Sequence, residues 1–143
     1  MQKGVTLLEL IFALAITGIL VVLVMPAVAG LRDRYLVGTA AQAIASAHNR
    51  ARIQAVLQSR VVDLEVRPDS LLIRATSGAT AIPLWSEIGP AQNGITLGSP
   101  TRILTFAPTG ITLGFANATF VLTRGSARRQ VIVSRLGRVR IIP

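Results

Sequence analysis

Apolar and polar positions follow three different rhythms along this chain. Residues 10–31, LIFALAITGILVVLVMPAVAGL, are 22 consecutive positions without a charge. As a helix rising about 1.5 Å per residue the run covers roughly 33 Å, enough for a hydrocarbon core of about 30 Å. Residues 5–31 are therefore expected to span a membrane. Residues 32–60 continue as helix with a different pattern. Leu36, Ala40, Ala43, Ile44, Ala47, Ala51, Val56 and Leu57 recur at three- and four-residue spacing, while Gln42, Asn49, Arg50, Arg52 and Gln58 fall largely elsewhere. That apolar face needs a sheet to cover it. After residue 60 the period becomes two: Val62, Leu64 and Val66 alternate with Asp63, Glu65 and Arg67, and Pro68-Asp69-Ser70 turns the chain into residues 71–75. Further strands are expected at residues 102–106, 111–115, 119–124, 128–135 and 138–142, separated by turns at 108–110, 116–118 and 125–127. Residues 77–100, rich in Gly, Pro, Ser and Asn, read as a long, loosely ordered connection holding one short strand at most, with Trp85 as its anchor in the core. The pattern predicts an α+β fold, one long amino-terminal helix packed on antiparallel sheet, with residues 61–143 as the β-rich globular part.

The apolar span does not have the form of a cleaved secretory signal. It exceeds the roughly 7 to 15 residues of such a core, and a carboxylate, Glu9, stands at its head. Arg32, Asp33 and Arg34 end it abruptly, with no cleavage context. Pro26 removes one intrahelical hydrogen bond and is expected to kink or loosen the helix near residues 22–25. A lone carboxylate at the edge of such a span is costly unless something neutralises it, and no other residue of the chain is an obvious partner; a position among lipid headgroups would also accommodate it.

Gly4-Val5-Thr6-Leu7-Leu8-Glu9 resembles the class III signal of type IV pilins and type II secretion pseudopilins: a short basic leader ending in Gly, then a hydrophobic residue, Thr, Leu, a variable residue and Glu, ahead of a retained apolar helix. The resemblance implies that residues 1–4 are a leader and that a prepilin peptidase cuts between Gly4 and Val5. Val5 then becomes the N-methylated terminus. Glu9 would meet the terminal ammonium of a neighbouring subunit, registering one subunit against the next. Pro26 matches the family's helix-loosening proline. Val5 departs from the commonest residue at that position, Phe.

Composition narrows the chemistry. The absence of cysteine excludes disulfides, thiolate zinc sites, iron–sulfur clusters and cysteine nucleophiles, and a single His excludes multi-histidine metal sites. His48 stands mid-helix with no acid near it in sequence, and a sheet-packed or surface histidine is the simpler expectation. Asp63 and Glu65 share a strand face, but Arg67 follows them, so a solvated, charge-balanced face is expected there. No phosphate loop, nucleophile elbow or metal motif occurs. The expectation is a non-enzymatic protein without a cofactor.

Charge is unevenly spread. Of 15 basic residues 14 are arginine, and residues 88–143 hold seven of these and no acid. Arginines scattered over a surface serve solubility. Arg138 and Arg140, however, are two apart on an expected strand, so both face one side about 6.6 Å apart while Val139 points inward. Gly137 admits a close turn into that strand, and hairpins are expected to bring Arg128, Arg129 or Arg135 near the pair. Forked guanidinium groups so placed straddle successive phosphates, and with few aromatics nearby the contact is to backbone rather than stacked bases.

Phe106-Ala107-Pro108-Thr109-Gly110, Arg129-Gln130-Val131-Ile132-Val133-Ser134 and Gly137-Arg138-Val139-Arg140, with Ala51-Arg52-Ile53-Gln54-Ala55 on the helix, resemble the FimT/GspH family of minor pilins and pseudopilins. The likeness runs the length of the chain apart from the middle connection. It implies a type IV pilin-like fold and other pilin or pseudopilin subunits as partners. It also implies an inner-membrane anchor with the globular part in the periplasm, and incorporation into a pilus or pseudopilus. One branch of the family serves type II protein secretion in a structural role. Some members of the other bind DNA in natural transformation through a carboxyl-terminal Gly-Arg-x-Arg motif, matched here by Gly137, Arg138 and Arg140. Both readings stand at the level of sequence.

Overall fold

The computed structural model describes residues 4–77, 80–114, 117–134 and 136–143. The chain divides into two compact units, Met1–Arg32 and Asp33–Pro143, and one helix, α1 (Leu7–Leu57), contributes to both. In the first unit the helix carries a window of mean hydropathy 2.8 with none of it buried. Its large side chains, from Leu7 to Leu31, are exposed, which is the condition of a segment whose solvent is lipid. The α-helix is uninterrupted across Pro26.

In the second unit α1 buries a single stripe: Val37, Ala41, Ile44, Ala47, His48, Ala51 and Ala55. Apart from the adjacent pair Ala47 and His48, successive buried positions are three or four apart, as a helix lying on a layer requires. Four of the seven are alanine, which lets the helix axis come close to the strands. The stripe lies about one position away from the sequence expectation at several points. Leu36, Ala40 and Ala43 flank the core, while Val56 and Leu57 are exposed.

Among the described residues eight strands form two four-stranded antiparallel sheets. The first, ordered β3-β2-β1-β5, contains β1 (Val62–Val66), β2 (Ser70–Ser77), β3 (Thr80–Ile88) and β5 (Arg102–Phe106). The second, ordered β4-β6-β7-β8, contains β4 (Thr96–Leu97), β6 (Ala118–Arg124), β7 (Ala127–Val133) and β8 (Val139–Ile142). Both sheets turn alternate apolar residues into one core, where Leu64, Ile73, Phe106, Phe120, Leu122 and Val131 have essentially no exposure. Each such side chain contributes roughly 1.5 to 3 kcal/mol relative to exposure.

Residues 77–100 are not a loose connection. They hold the nine-residue strand β3, a 3-10 turn at Pro90–Asn93 and β4. The pattern allows one short strand at most here, and the nine-residue length of β3 is hidden for a physical reason. It is an edge strand exposed along most of its length, so burial imposes no alternation on it. Its register also shifts where Arg74 pairs with Pro83 and Ile73 with Trp85, so that Pro83 falls at an irregularity that tolerates a residue without an N–H. Trp85 is half-buried against the core, and the Arg50 guanidinium lies 4.8 Å over its ring. The strand expected at residues 111–115 reduces to one bridge, Thr112 to Phe106; Phe115 and Ala116 lie outside the described residues. The face of Asp63, Glu65 and Arg67 is less solvated than expected. Glu65 is 7% exposed and held by Arg67 at 2.6 Å and Arg74 at 3.4 Å, and Asp63 accepts the Thr105 hydroxyl at 2.6 Å. Flanking strands in a central position cover β1 on both sides, which a two-residue period does not reveal.

Candidate functional site

At the amino terminus Thr6 Oγ1 accepts the Glu9 backbone N–H at 3.3 Å, and Thr6 O accepts that of Leu10 at 3.2 Å. Thr6 thus caps α1, and Glu9 occupies its first turn, where the helix dipole favours a negative charge by about 0.3 to 1 kcal/mol. Thr-x-x-Glu is the capping-box spacing, a signal present in the sequence and not read there. Gly4 and Val5 precede the helix, and Val5 is exposed.

The arginine face is built by the β7–β8 hairpin. Val133 pairs with Val139, Ile132 with Arg140 and Gln130 with Ile142. Val139 and Ile141 pack on the core, so the alternation sends Arg138 and Arg140 outward, both exposed. The connection is closed by three hydrogen bonds. Gly137 N–H donates to Ser134 O at 2.9 Å, Ser134 N–H donates to Arg138 O at 2.9 Å, and Arg138 N–H donates to the Ser134 hydroxyl at 3.1 Å. Gly137 is buried with φ +79°, a conformation that a Cβ resists. Ser134, which pins the Arg138 backbone, is the last residue of the segment that begins at Arg129, and this role leaves no trace in the sequence.

The hairpin does not gather all the arginines. Arg128 pairs with Thr123 at the far end of β7, four residues from the partner of Arg140, or about 13 Å along the strand. It is exposed on the same outer side. Arg129 shares the parity of buried Val131 and Val133 and is half-buried. Arg135 lies outside the described residues. Among the described residues the ion pairs are Glu65 with Arg67 and Arg74, and Asp33 with Arg124, so no carboxylate neutralises Arg128, Arg138 or Arg140.

Two further side chains stand on α1. Arg52, exposed on α1, extends over the Gly137 turn: a methyl group added to Gly137 would stand 3.4 Å from Arg52 Nη1. His48, one helical turn earlier, is fully buried with its ring edge-on to Phe106 at 5.1 Å. Its Nδ1 meets Asn49 Oδ1 at 3.4 Å, and its Nε2 has no hydrogen-bond partner among the described residues. Burial holds its pKa below the ordinary 6.5, the Asn49 bond opposes that, and the Arg52 charge adds to it. A buried, neutral ring without an acid neighbour has the character of a packing residue. Among the described residues no group of three or more His, Asp or Glu side chains converges to hold a metal ion.

The family model described as Type II transport protein GspH matches residues 40–137, and that of the prokaryotic N-terminal methylation motif matches residues 1–25. The pilin-like protein PilA1 of Thermus thermophilus is 30% identical over 155 aligned residues, covering 98% of each chain. Two crystal structures of the type IV minor pilin FimU of Pseudomonas aeruginosa share the fold. One superposes with a TM-score of 0.64 over 77% of this chain and 90% of FimU, the other with 0.60 over 74% and 92%, each at 23% identity.

Proposed function

The chain belongs to the GspH family and is a minor pilin or pseudopilin of a type IV pilus or type II secretion system, and from that premise we propose how its two ends work. At the amino terminus prepilin peptidase cuts between Gly4 and Val5, and Val5 is N-methylated. The Glu9 carboxylate then pairs with the ammonium of a neighbouring subunit's terminus. Burial of that pair between apolar helices makes it strongly position-dependent, since either charge left alone in lipid is costly. Before assembly the mature chain is held in the inner membrane by residues 5–31, with residues 61–143 in the periplasm. Cleavage is checked by intact-mass measurement of the protein from cells with and without the peptidase. A mature mass beginning at Val5 and carrying one methyl group is expected only with it. Glu9→Gln is expected to leave processing intact and to abolish incorporation into filaments.

At the other end the subunit, which is non-enzymatic, captures double-stranded DNA by its phosphates through the outer side of β7 and β8. The observation that carries this reading is the exposed Arg138–Arg140 pair on strands drawn from a segment with no acid. Mature net charge supports it: without Lys3 it is 14 − 6 = +8. Backbone capture by guanidinium groups is independent of sequence and steeply dependent on salt. The test is a titration of a random-sequence duplex with the full chain in detergent, beside Arg138→Gln/Arg140→Gln. With two phosphates neutralised by that pair, affinity falls about 12-fold between roughly 50 and 200 mM salt, and the double variant loses most of the binding. Absence of binding, or equal binding by the variant, leaves a structural pseudopilin of protein secretion whose arginines serve assembly or solubility.

A further inference from the structure

Three segments distant in sequence meet at one side chain. Arg52 projects from α1 across the turn that follows β5 and the turn that precedes β8. Methyl groups added to Gly110 and Gly137 would stand 3.3 Å from its Nε and 3.4 Å from its Nη1 respectively. Both glycines are buried with positive φ, +77° and +79°, so each turn presents bare backbone on which the Arg52 side chain lies flat. Val56, one turn further along α1, lies against the same methyl position of Gly110, its Cγ2 at 3.0 Å. The first turn is closed by Gly110 N–H donating to Ala107 O and Ala107 N–H donating to Ile111 O, each at 2.8 Å.

Apolar contact along its stem accounts for the position of the Arg52 side chain, and leaves its charge unexplained. Among the described residues no carboxylate pairs with it, and the residue is exposed. Its guanidinium therefore stands unneutralised beside the residue that immediately precedes Arg138, laid against the buried glycines of two turns. A planar donor fixed in advance loses little entropy on meeting an anion, and phosphate is the anion its fork fits best. The other two cations of this edge, Arg138 and Arg140, are set at fixed spacing by the hairpin. We infer that Arg52 is a third phosphate contact of the DNA-binding face, carrying the cationic track from the edge of the second sheet onto α1. The inference rests on the DNA reading proposed above and adds to it a residue from a different element.

The salt dependence counts the contacts. With the full chain in detergent and a random-sequence duplex, three neutralised phosphates give a log–log slope near −2.7, and the loss of one gives about −1.8. Arg52→Gln is expected to show the shallower slope, so that its affinity falls about 12-fold rather than about 40-fold between roughly 50 and 200 mM salt. Arg52→Lys, which keeps the charge, retains the wild-type slope. A residue that only braces the turns would lower the affinity of Arg52→Gln without changing its slope, and that result overturns the assignment. Wild-type protein that does not bind the duplex overturns the DNA reading itself, and is recognised because no variant then has binding to lose. A second measurement needs no substitution. Phenylglyoxal modifies exposed arginines, and bound duplex is expected to protect Arg52, Arg138 and Arg140 but not Arg74, which pairs with Glu65 on the first sheet. Arg52 modified equally with and without duplex overturns the proposal.

Discussion

His48 is buried on α1 with one ring nitrogen unpartnered, and its folded-state pKa lies below 6.5. The unfolded chain takes up the proton first as the medium is acidified. Stability attached to the neutral ring is therefore complete above about pH 6.5 and is lost as pH falls through the folded pKa. The thermal midpoint of the wild type is expected to drop further than that of His48→Leu between about pH 7.5 and about pH 5.5, and equal drops would refute the linkage. A second single-residue test concerns Gly125, in the β6–β7 turn. The neighbouring Arg124 Nε donates to Asp33 Oδ1 at 2.7 Å, and a methyl group on Gly125 would come within 2.5 Å of Asp33 Oδ2 at a φ of +54°. Gly125→Ala combines backbone strain with displacement of a half-buried ion pair, at an expected cost of roughly 2 kcal/mol in urea denaturation. The sequence marked Gly125 as a turn residue. It did not disclose that Asp33, 92 positions earlier, closes over it.

At the scale of elements, α1 shows what periodicity does and does not reveal. The three- and four-residue spacing marked an amphipathic half correctly, but the buried stripe is lined with alanine, a residue equally at home on either face of a helix. Buried Ala41 and Ala55 therefore carry no face signal of their own, whereas Val56 and Leu57 carry one and are exposed. The close approach has a testable consequence. Ala51→Leu forces added volume between helix and sheet and is expected to cost about 1 to 3 kcal/mol, whereas Gln42→Leu on the exposed side stays within about 0.5 kcal/mol of wild type by chemical denaturation. β3 teaches the complementary lesson. An exposed edge strand with a proline at its register shift lacks the alternation of a half-buried strand, and forms over nine residues because β2 offers it an edge to pair with. The hairpins of the second sheet were readable because their turns carry Gly and Ser and their strands are half-buried.

At the scale of the molecule, every residue of the hydrophobic core lies at or beyond Val37, while the first unit buries none of its apolar window. Residues 33–143 are therefore expected to fold without the span, with a cooperative thermal transition by circular dichroism. A non-cooperative melt would show that the globular unit depends on lipid or on neighbouring subunits. The sequence by itself determined the uncharged run long enough to cross a membrane, the switch from a helical period to a period of two, the amino-terminal signal and the outward direction of Arg138 and Arg140. Each of these is a local property, settled by chain length, residue polarity and the alternation of a strand. Only the tertiary structure decided the pairing of strands into two sheets, the burial of Glu65 between two arginines, the separation of Arg128 from the Arg138 pair, and the meeting of Arg52 with Gly110 and Gly137. Those depend on register and on which elements lie side by side, and contacts between residues tens of positions apart leave no periodic trace in the chain that makes them.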